Sequence, residues 1–209
     1  LHGHQPKQKQ LIHLLNCLYD CRYCFLQGMF KSANYVVFVN YEDFHEEIMR
    51  TAEKDKGRAF FFSGYDCDSL AMEPITNFAK SFLPIFEKIQ SSTLELRTKS
   101  TQTRSLLEIP PLNNVICSFS LNPQEIIELF EEKTPSLGSR INSIQKLNSA
   151  GWRIGLRFDP IIATSPDVQE FTLIACFTLK YFLRSFSNFS TYSPPFKALF
   201  GSAINLDKD

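Results

Sequence analysis

The chain has 209 residues, 44% of them hydrophobic and 21% charged, which is enough to bury one core without disulfide staples. Its 22 Lys and Arg balance 22 Asp and Glu, excluding a global basic field that would draw in nucleic acid but leaving a local patch open. No run reaches the roughly 18 apolar residues of a membrane span; the longest, Phe171 to Leu183, contains Lys180. In chain order, Leu11 to Leu15 predicts a short first strand, followed by a cysteine-rich segment, and Tyr35 to Asn40 a second, β-branched and aromatic strand. Tyr41 to Lys54 has near-helical apolar spacing and stops before Gly57, and Arg58 to Ser63 is a buried strand. Asp68 to Ile89 predicts a helix with Pro74 near its start and a break or kink at Pro84. Strands follow at Leu94 to Thr98 and Val115 to Leu121, helices at Pro123 to Glu131 and Ser139 to Ala150, and a strand at Trp152 to Phe158. Strands separated by helices imply a parallel sheet, open or bent into a partial barrel, with ligands at the carboxyl ends of its strands.

The pattern changes after about Ile162. Ser185 to Phe200 is rich in Ser, Phe and Pro and has no clean period, so residues 1–165 are expected to form the core and 166–209 a divergent, weakly structured segment. The chain has six cysteines, and Cys17, Cys21 and Cys24 fall within eight residues while Cys67, Cys117 and Cys176 are scattered. That asymmetry points to a metal or cluster site in a reducing, cytoplasmic setting rather than a secreted disulfide scaffold. Cys117, Cys176 and Trp152 read as core residues.

The triplet is a C-x3-C-x2-C motif. Three thiolates on one loop can hold three irons of a four-iron cluster, leaving the fourth iron open to a chelating ligand. A structural zinc ion is the alternative, but it needs four ligands, and only His13 stands near enough in sequence to be the fourth.

This spacing, with Tyr23 before the last cysteine, resembles the radical SAM superfamily. More narrowly, NCLYDCRYCFLQGMFKSANYVVFVN (Asn16 to Asn40) resembles the cluster segment of the spore photoproduct lyase family. FSGYDCDSLAMEP (Phe62 to Pro74), LRTKS (Leu96 to Ser100), SFSLNP (Ser118 to Pro123) and TPSLGSRINSIQKLNSAGWRIGLRFDPII (Thr134 to Ile162) resemble its later core segments in the same order. The resemblance covers roughly residues 11–162. It implies an α/β fold, a partial (β/α) barrel with about five parallel core strands, and no segment here resembles the family's last strand and C-terminal region with its DNA-contacting hairpin. It further implies a 4Fe-4S cluster on Cys17, Cys21 and Cys24, with S-adenosylmethionine contacted by Tyr23, Lys99 and Ser120. An external electron donor would drive cleavage of S-adenosylmethionine to a 5′-deoxyadenosyl radical, for repair of a pyrimidine dimer in DNA.

Two positions depart from the family pattern. The hydrogen-returning cysteine of the family falls on Tyr65, and the nearest thiol is Cys67. Alternation along a regular strand would place both on one face, and Cys67 is the expected donor with Tyr65 the other candidate. Gly64 with Asp66 and Asp68 predicts a ligand-facing turn there. Phe25 stands where the spore lyases carry a tyrosine that relays hydrogen. Arg157 and Asp159 end the last strand as a site pair or a plain ion pair. Three readings stay open at this stage: a radical SAM lyase, a non-catalytic iron–sulfur relative or one with another substrate, and a zinc-binding structural protein.

Overall fold

The computed structural model describes residues 8–56, 58–160 and 162. The first core strand, β1 (Gln8–Gln10), lies earlier than expected and is exposed at every residue. It pairs in parallel fashion with a strand fifty residues on, and the Leu11 N–H extends the pairing to the Phe62 carbonyl at 2.8 Å. The apolar stretch after it supplies only β2 (Leu14–Leu15), which is antiparallel to Val36–Val37 in a separate two-stranded sheet. Next come β3 (Asp20–Cys21), the single-turn α1 (Leu26–Met29) and β4 (Val36–Val37), so the predicted strand over 35–40 shrinks to two residues outside the core sheet.

The helix α2 (Tyr41–Lys54) forms where its apolar spacing predicts, burying Ile48, Thr51 and Ala52. β5 (Phe60–Ser63) follows. The expected long helix from Asp68 is instead a loop, the short α3 (Glu73–Thr76) and α4 (Phe78–Lys88). The break falls at Asn77, whose φ of 48° is left-handed, and not at Pro84, which lies inside α4. The buried face of Phe78, Phe82, Leu83, Ile85 and Phe86 keeps α4 helical through the proline. Glu73 accepts from the Ala79 N–H at 3.0 Å across the break. β6 (Thr93–Thr98), α5 (Arg104–Leu107), β7 (Val115–Ser120), α6 (Gln124–Phe130), β8 (Glu131–Glu132), α7 (Leu137–Ser149) and β9 (Arg153–Arg157) complete the described chain. Ser136 caps α7, its hydroxyl accepting from the Ser139 N–H at 3.3 Å.

The five core strands are all parallel, in the order β1-β5-β6-β7-β9. An order without reversal, with right-handed crossovers, places every crossover helix on one face, the arrangement of a (β/α) barrel arc. The core agrees: Phe61, Leu94, Leu96, Val115, Cys117, Phe119 and Ile154 pack with Ile48, Phe82, Phe86, Ile144 and Leu147 of the helices. Trp152 is buried as expected, and its indole N–H donates to the Leu106 carbonyl at 3.1 Å. The other sheet face, the inside of the arc, carries Phe62, Glu95, Arg97, Ser118, Ser120, Gly155 and Arg157. Gly155 allows close approach there, because a Cβ on it would lie 2.3 Å from Ser118 Oγ. Among the described residues no helix is long and apolar enough to cross a membrane. The expectations for Cys176, for Ser185 to Phe200 and for a boundary near residue 165 fall outside the described residues.

Candidate functional site

Asn16 turns the chain out of β2 with a left-handed φ of 70°. Its side-chain amide donates to the carbonyls of Ser32 (2.9 Å) and Asn34 (2.7 Å), closing the loop that carries the cysteines. Cys17 follows directly, Cys21 lies in β3, and Cys24 closes a turn by donating its N–H to the Cys21 carbonyl at 2.9 Å. All three are free thiols. Burial, helped by the Asp68 carboxylate, pushes the Cys17 thiol up to about 12. Burial also pushes Cys21 up to about 11, against the opposing pull of the Lys99 charge.

The loop between β5 and α3 forms the facing wall. Gly64 has φ +86°, and a Cβ there would lie 2.4 Å from the Arg97 carbonyl, so only glycine lets the loop sit against β6. The Ser69 N–H donates to that same carbonyl at 3.1 Å. Asp68 ties the loop to the strand end. Its Oδ1 accepts from Leu70 N (3.0 Å), Ala71 N (2.9 Å) and Thr98 Oγ1 (2.6 Å), and its Oδ2 from Lys99 N (2.6 Å). Asp66 accepts from the Gln10 side chain, linking the loop to β1.

These walls enclose a cavity of about 280 Å³ at the carboxyl ends of the strands. Every site residue expected from the sequence lines it: Cys17, Cys21 and Cys24, Tyr23, Lys99 and Ser120, and both Tyr65 and Cys67. Lys99 Nζ stands 5.7 Å from the centre of the Tyr23 ring. Arg157 and Asp159 line the cavity as well and pair at 3.4 Å. The common strand face expected for positions 65 and 67 is absent, because β5 ends at Ser63. Tyr65 is half exposed, with its ring 5.1 Å from that of Phe25, whereas Cys67 is buried against Leu14 and Met72. Burial pushes the Cys67 thiol well up, so it keeps its hydrogen at neutral pH.

His13 is not at the site. It is buried, stacked on Phe78 with ring centres 3.7 Å apart, and burial lowers it to about 3. Among the described residues no three His, Cys, Asp or Glu side chains are grouped closely enough to share one metal ion.

Sequence reasoning missed the residues behind the cavity. Glu131, expected as the last residue of a helix, is in β8 and accepts from Tyr23 Oη at 2.5 Å and Asn122 Nδ2 at 2.7 Å. Its partner Arg140 is fully buried, 2.5 Å away. Burial alone would raise the Glu131 carboxyl, but the Arg140 charge and the hydrogen bonds from Tyr23 and Asn122 outweigh it and hold it below the usual carboxylate range. Burial and the Glu131 carboxylate push the Tyr23 phenol upward. The interior triad of Glu95 with Arg97 (2.8 Å) and Arg157 (3.3 Å) was missed too, although the period-2 charges of Glu95 and Arg97 were the available signal.

The spore photoproduct lyase family model matches residues 6–177. The chain belongs to the spore photoproduct lyase family. The match begins before and ends after the 11–162 stretch on which the resemblance rested. The chain is 27% identical over 154 residues to the spore photoproduct lyase of Clostridium acetobutylicum, covering 73% of this chain and 46% of that one. It is 29% identical over 151 residues to that of Bacillus subtilis, covering 69% and 43%. It thus spans about half the length of the curated relatives it matches. The fold agrees with that of a spore photoproduct lyase mutant solved with AdoMet and dinucleoside spore photoproduct, at a TM-score of 0.78 and 20% identity, covering 94% of this chain and 61% of the other. It agrees likewise with a spore photoproduct lyase complexed with the dinucleoside, at a TM-score of 0.79 and 18% identity, covering 94% and 62%.

Proposed function

We propose that this chain is an iron–sulfur radical SAM protein whose cavity supports repair of a pyrimidine dimer in DNA. The observation that carries the reading is the convergence on one cavity of Cys17, Cys21, Cys24, Lys99 and Ser120, which come from three separate stretches of sequence. Cys17, Cys21 and Cys24 would hold the cluster. All three line one cavity, and in such a cluster each thiolate takes its own iron, so the sulfurs need not converge on one ion. When bound, the cluster and S-adenosylmethionine supply a 5′-deoxyadenosyl radical, given an electron from an external donor. Lys99 brings a cation to the carboxylate of S-adenosylmethionine, and Ser120 a hydroxyl to its ribose. The backbone of Lys99 is already fixed by Asp68. The Tyr23 ring offers a flat face to the adenine. Cys67 would give a hydrogen atom to the product radical and be left as a thiyl radical, because its S–H bond is weak and its buried thiol is protonated. Tyr65 carries the competing O–H at the cavity mouth. Free thiols suit a reducing compartment.

A second reading, an iron–sulfur relative without repair activity, is favoured by Phe25, which has no O–H to relay hydrogen to its neighbour Tyr65. The test is anaerobic reconstitution with iron and sulfide, then incubation with reductant and S-adenosylmethionine, with and without irradiated DNA. Formation of 5′-deoxyadenosine with loss of the dimer supports the repair reading. Formation of 5′-deoxyadenosine without dimer loss supports a different substrate. Cys17→Ala should lose its iron, and equal iron in that variant overturns the ligand assignment.

A further inference from the structure

The contact that holds the cysteine loop to the rim is not made by the loop's own neighbours in sequence. Arg140 is fully buried at the start of α7, and its guanidinium donates in four directions. Nε donates to the Pro135 carbonyl (2.9 Å), Nη1 to the Ser120 carbonyl (2.9 Å), and Nη2 to Glu131 Oε2 (2.5 Å) and Thr134 Oγ1 (2.7 Å). The other oxygen of Glu131 takes Tyr23 and Asn122. The end of β7, the segment between α6 and α7, the body of α7 and the cysteine loop therefore meet at one ion pair.

Elsewhere the loop packs Leu18 against Leu14, Cys67 and Met72 and hydrogen-bonds Ser100 through Tyr19, but the contacts on the Ser120 side other than the ion pair are weak by comparison. β3 and β8 pair over two residues, Asp20 with Glu132 and Cys21 with Glu131, and the Arg22 N–H adds a bond of 2.8 Å to the Phe130 carbonyl. A ladder that short does not hold by itself. The flanking ion pairs, Arg22 with Glu132 and Lys133 with Asp20, are exposed to water, where such pairs contribute little. A buried ion pair is also a poor device for stability alone, because apolar side chains of the same volume serve as well or better. What a pair with every oxygen and nearly every N–H engaged does provide is one fixed geometry.

We propose that the Glu131–Arg140 pair positions the cysteine loop, setting Cys21 and Tyr23 against Ser120 at the cavity without itself touching a ligand. Arg140 grips the Ser120 carbonyl directly and the loop through Glu131, so the two sides of the cavity are set by one guanidinium. The proposal depends on the cluster reading for its functional consequence, not for its geometry.

The test uses the full chain, metal-free, with iodoacetamide labelling of each cysteine followed by mass spectrometry. Cys21 is nearly buried and reports the loop; Cys117 is fully buried in the sheet and reports global opening. Glu131→Gln should speed Cys21 labelling by about tenfold or more and leave Cys117 unchanged, because local opening precedes global unfolding. Tyr23→Phe removes the loop's bond to the pair together with the Tyr23–Cys21 side-chain contact and should show the same selectivity with a smaller rise, read at Cys17 as well as at Cys21; it carries the test if Glu131→Gln does not fold. Equal acceleration of Cys21 and Cys117 in both variants overturns the proposal, since the pair would then serve general stability. No acceleration in either variant overturns it as well. On reconstitution, Glu131→Gln should retain less iron than the parent. If the parent itself takes up no iron, the cluster reading fails while the labelling still decides the anchor.

Discussion

Replacing Asp68 by Asn tests how the cavity's two walls are joined. The three donors on Oδ1, from Leu70, Ala71 and Thr98, can still be met by an amide oxygen, but the Lys99 N–H on Oδ2 would face the amide's own N–H. Flipping the amide is worse, since it would set three donors against one NH2 group. The loss is one hydrogen bond to a charged group, about 1.5–3 kcal/mol, plus roughly 0.5 kcal/mol for each of the other bonds as its acceptor becomes neutral. Asn should therefore cost at least about 3 kcal/mol and Ala, which strands all four donors, about 5 kcal/mol or more. The chain's single Trp, Trp152, is buried and gives the unfolding signal in urea. With a slope of about 2 kcal/mol per molar urea, the midpoint should fall by at least about 1.5 M for Asn and about 2.5 M or more for Ala. Amide exchange at Lys99 should quicken in Asp68→Asn before exchange within β6. An Asn variant within about 0.5 kcal/mol of the parent, or one less stable than Ala, would refute the account of Asp68 as a charged clasp.

Three further outcomes follow from other sites. His13 is held neutral by burial, at about 3, so the unfolded chain binds its proton and the folded chain does not over the range from about 6.5 down to about 3. Its contribution is complete above about pH 6.5 and is lost as the pH falls through that window, at up to about 1.4 kcal/mol per unit; His13→Phe should remove that slope in urea titrations, and an unaltered slope counts against burial as the cause. Gly64→Ala combines a left-handed φ with a Cβ 2.4 Å from the Arg97 carbonyl. It should cost about 2–4 kcal/mol, and full retention of the urea midpoint would show that the loop does not need this approach. Gly155→Ala places a Cβ 2.3 Å from Ser118 Oγ, so adding Ser118→Ala should recover about 1–2 kcal/mol; strictly additive losses would deny the contact.

The elements that were legible in the sequence are those whose side chains alternate or recur with the period of one buried face. α2 and β6 fall where they were expected, because nothing distant overrides their pattern. β1 was invisible because Gln8, Lys9 and Gln10 are polar and exposed, an edge strand defined by backbone pairing alone. The helix expected from Asp68 starts later because that carboxylate is committed to Thr98 and Lys99, about thirty residues on. The cavity residues were found through motif order, since Lys99 and Ser120 look like ordinary strand-end residues in isolation. Glu131 could not be found in that way. It closes an apparent amphipathic helix, and its meaning lies in Tyr23, 108 residues earlier.

The two faces of β6 divide the labour of the fold. Leu94 and Leu96 point to the helices and belong to the main core, while Glu95 and Arg97 point inside the arc. There Arg97 lies over the Phe62 ring at 4.1 Å, and Glu95 is shared between Arg97 and Arg157. In a closed barrel such interior positions are filled by layered, mostly apolar side chains. Here charged groups occupy them, and Arg97 and Arg157 reach the same cavity as Lys99. The Arg157 contacts are long, 3.3 Å to Glu95 and 3.4 Å to Asp159, against 2.8 Å for Arg97 to Glu95. Charge-assisted pairs normally close to about 2.7–2.9 Å, so Arg157 is the more loosely paired of the two arginines. Truncating Leu96 therefore acts through the core and on every property that depends on folding. Truncating Arg157 leaves the core intact and acts on the cavity, a separation that side-chain alternation along β6 and β9 imposes.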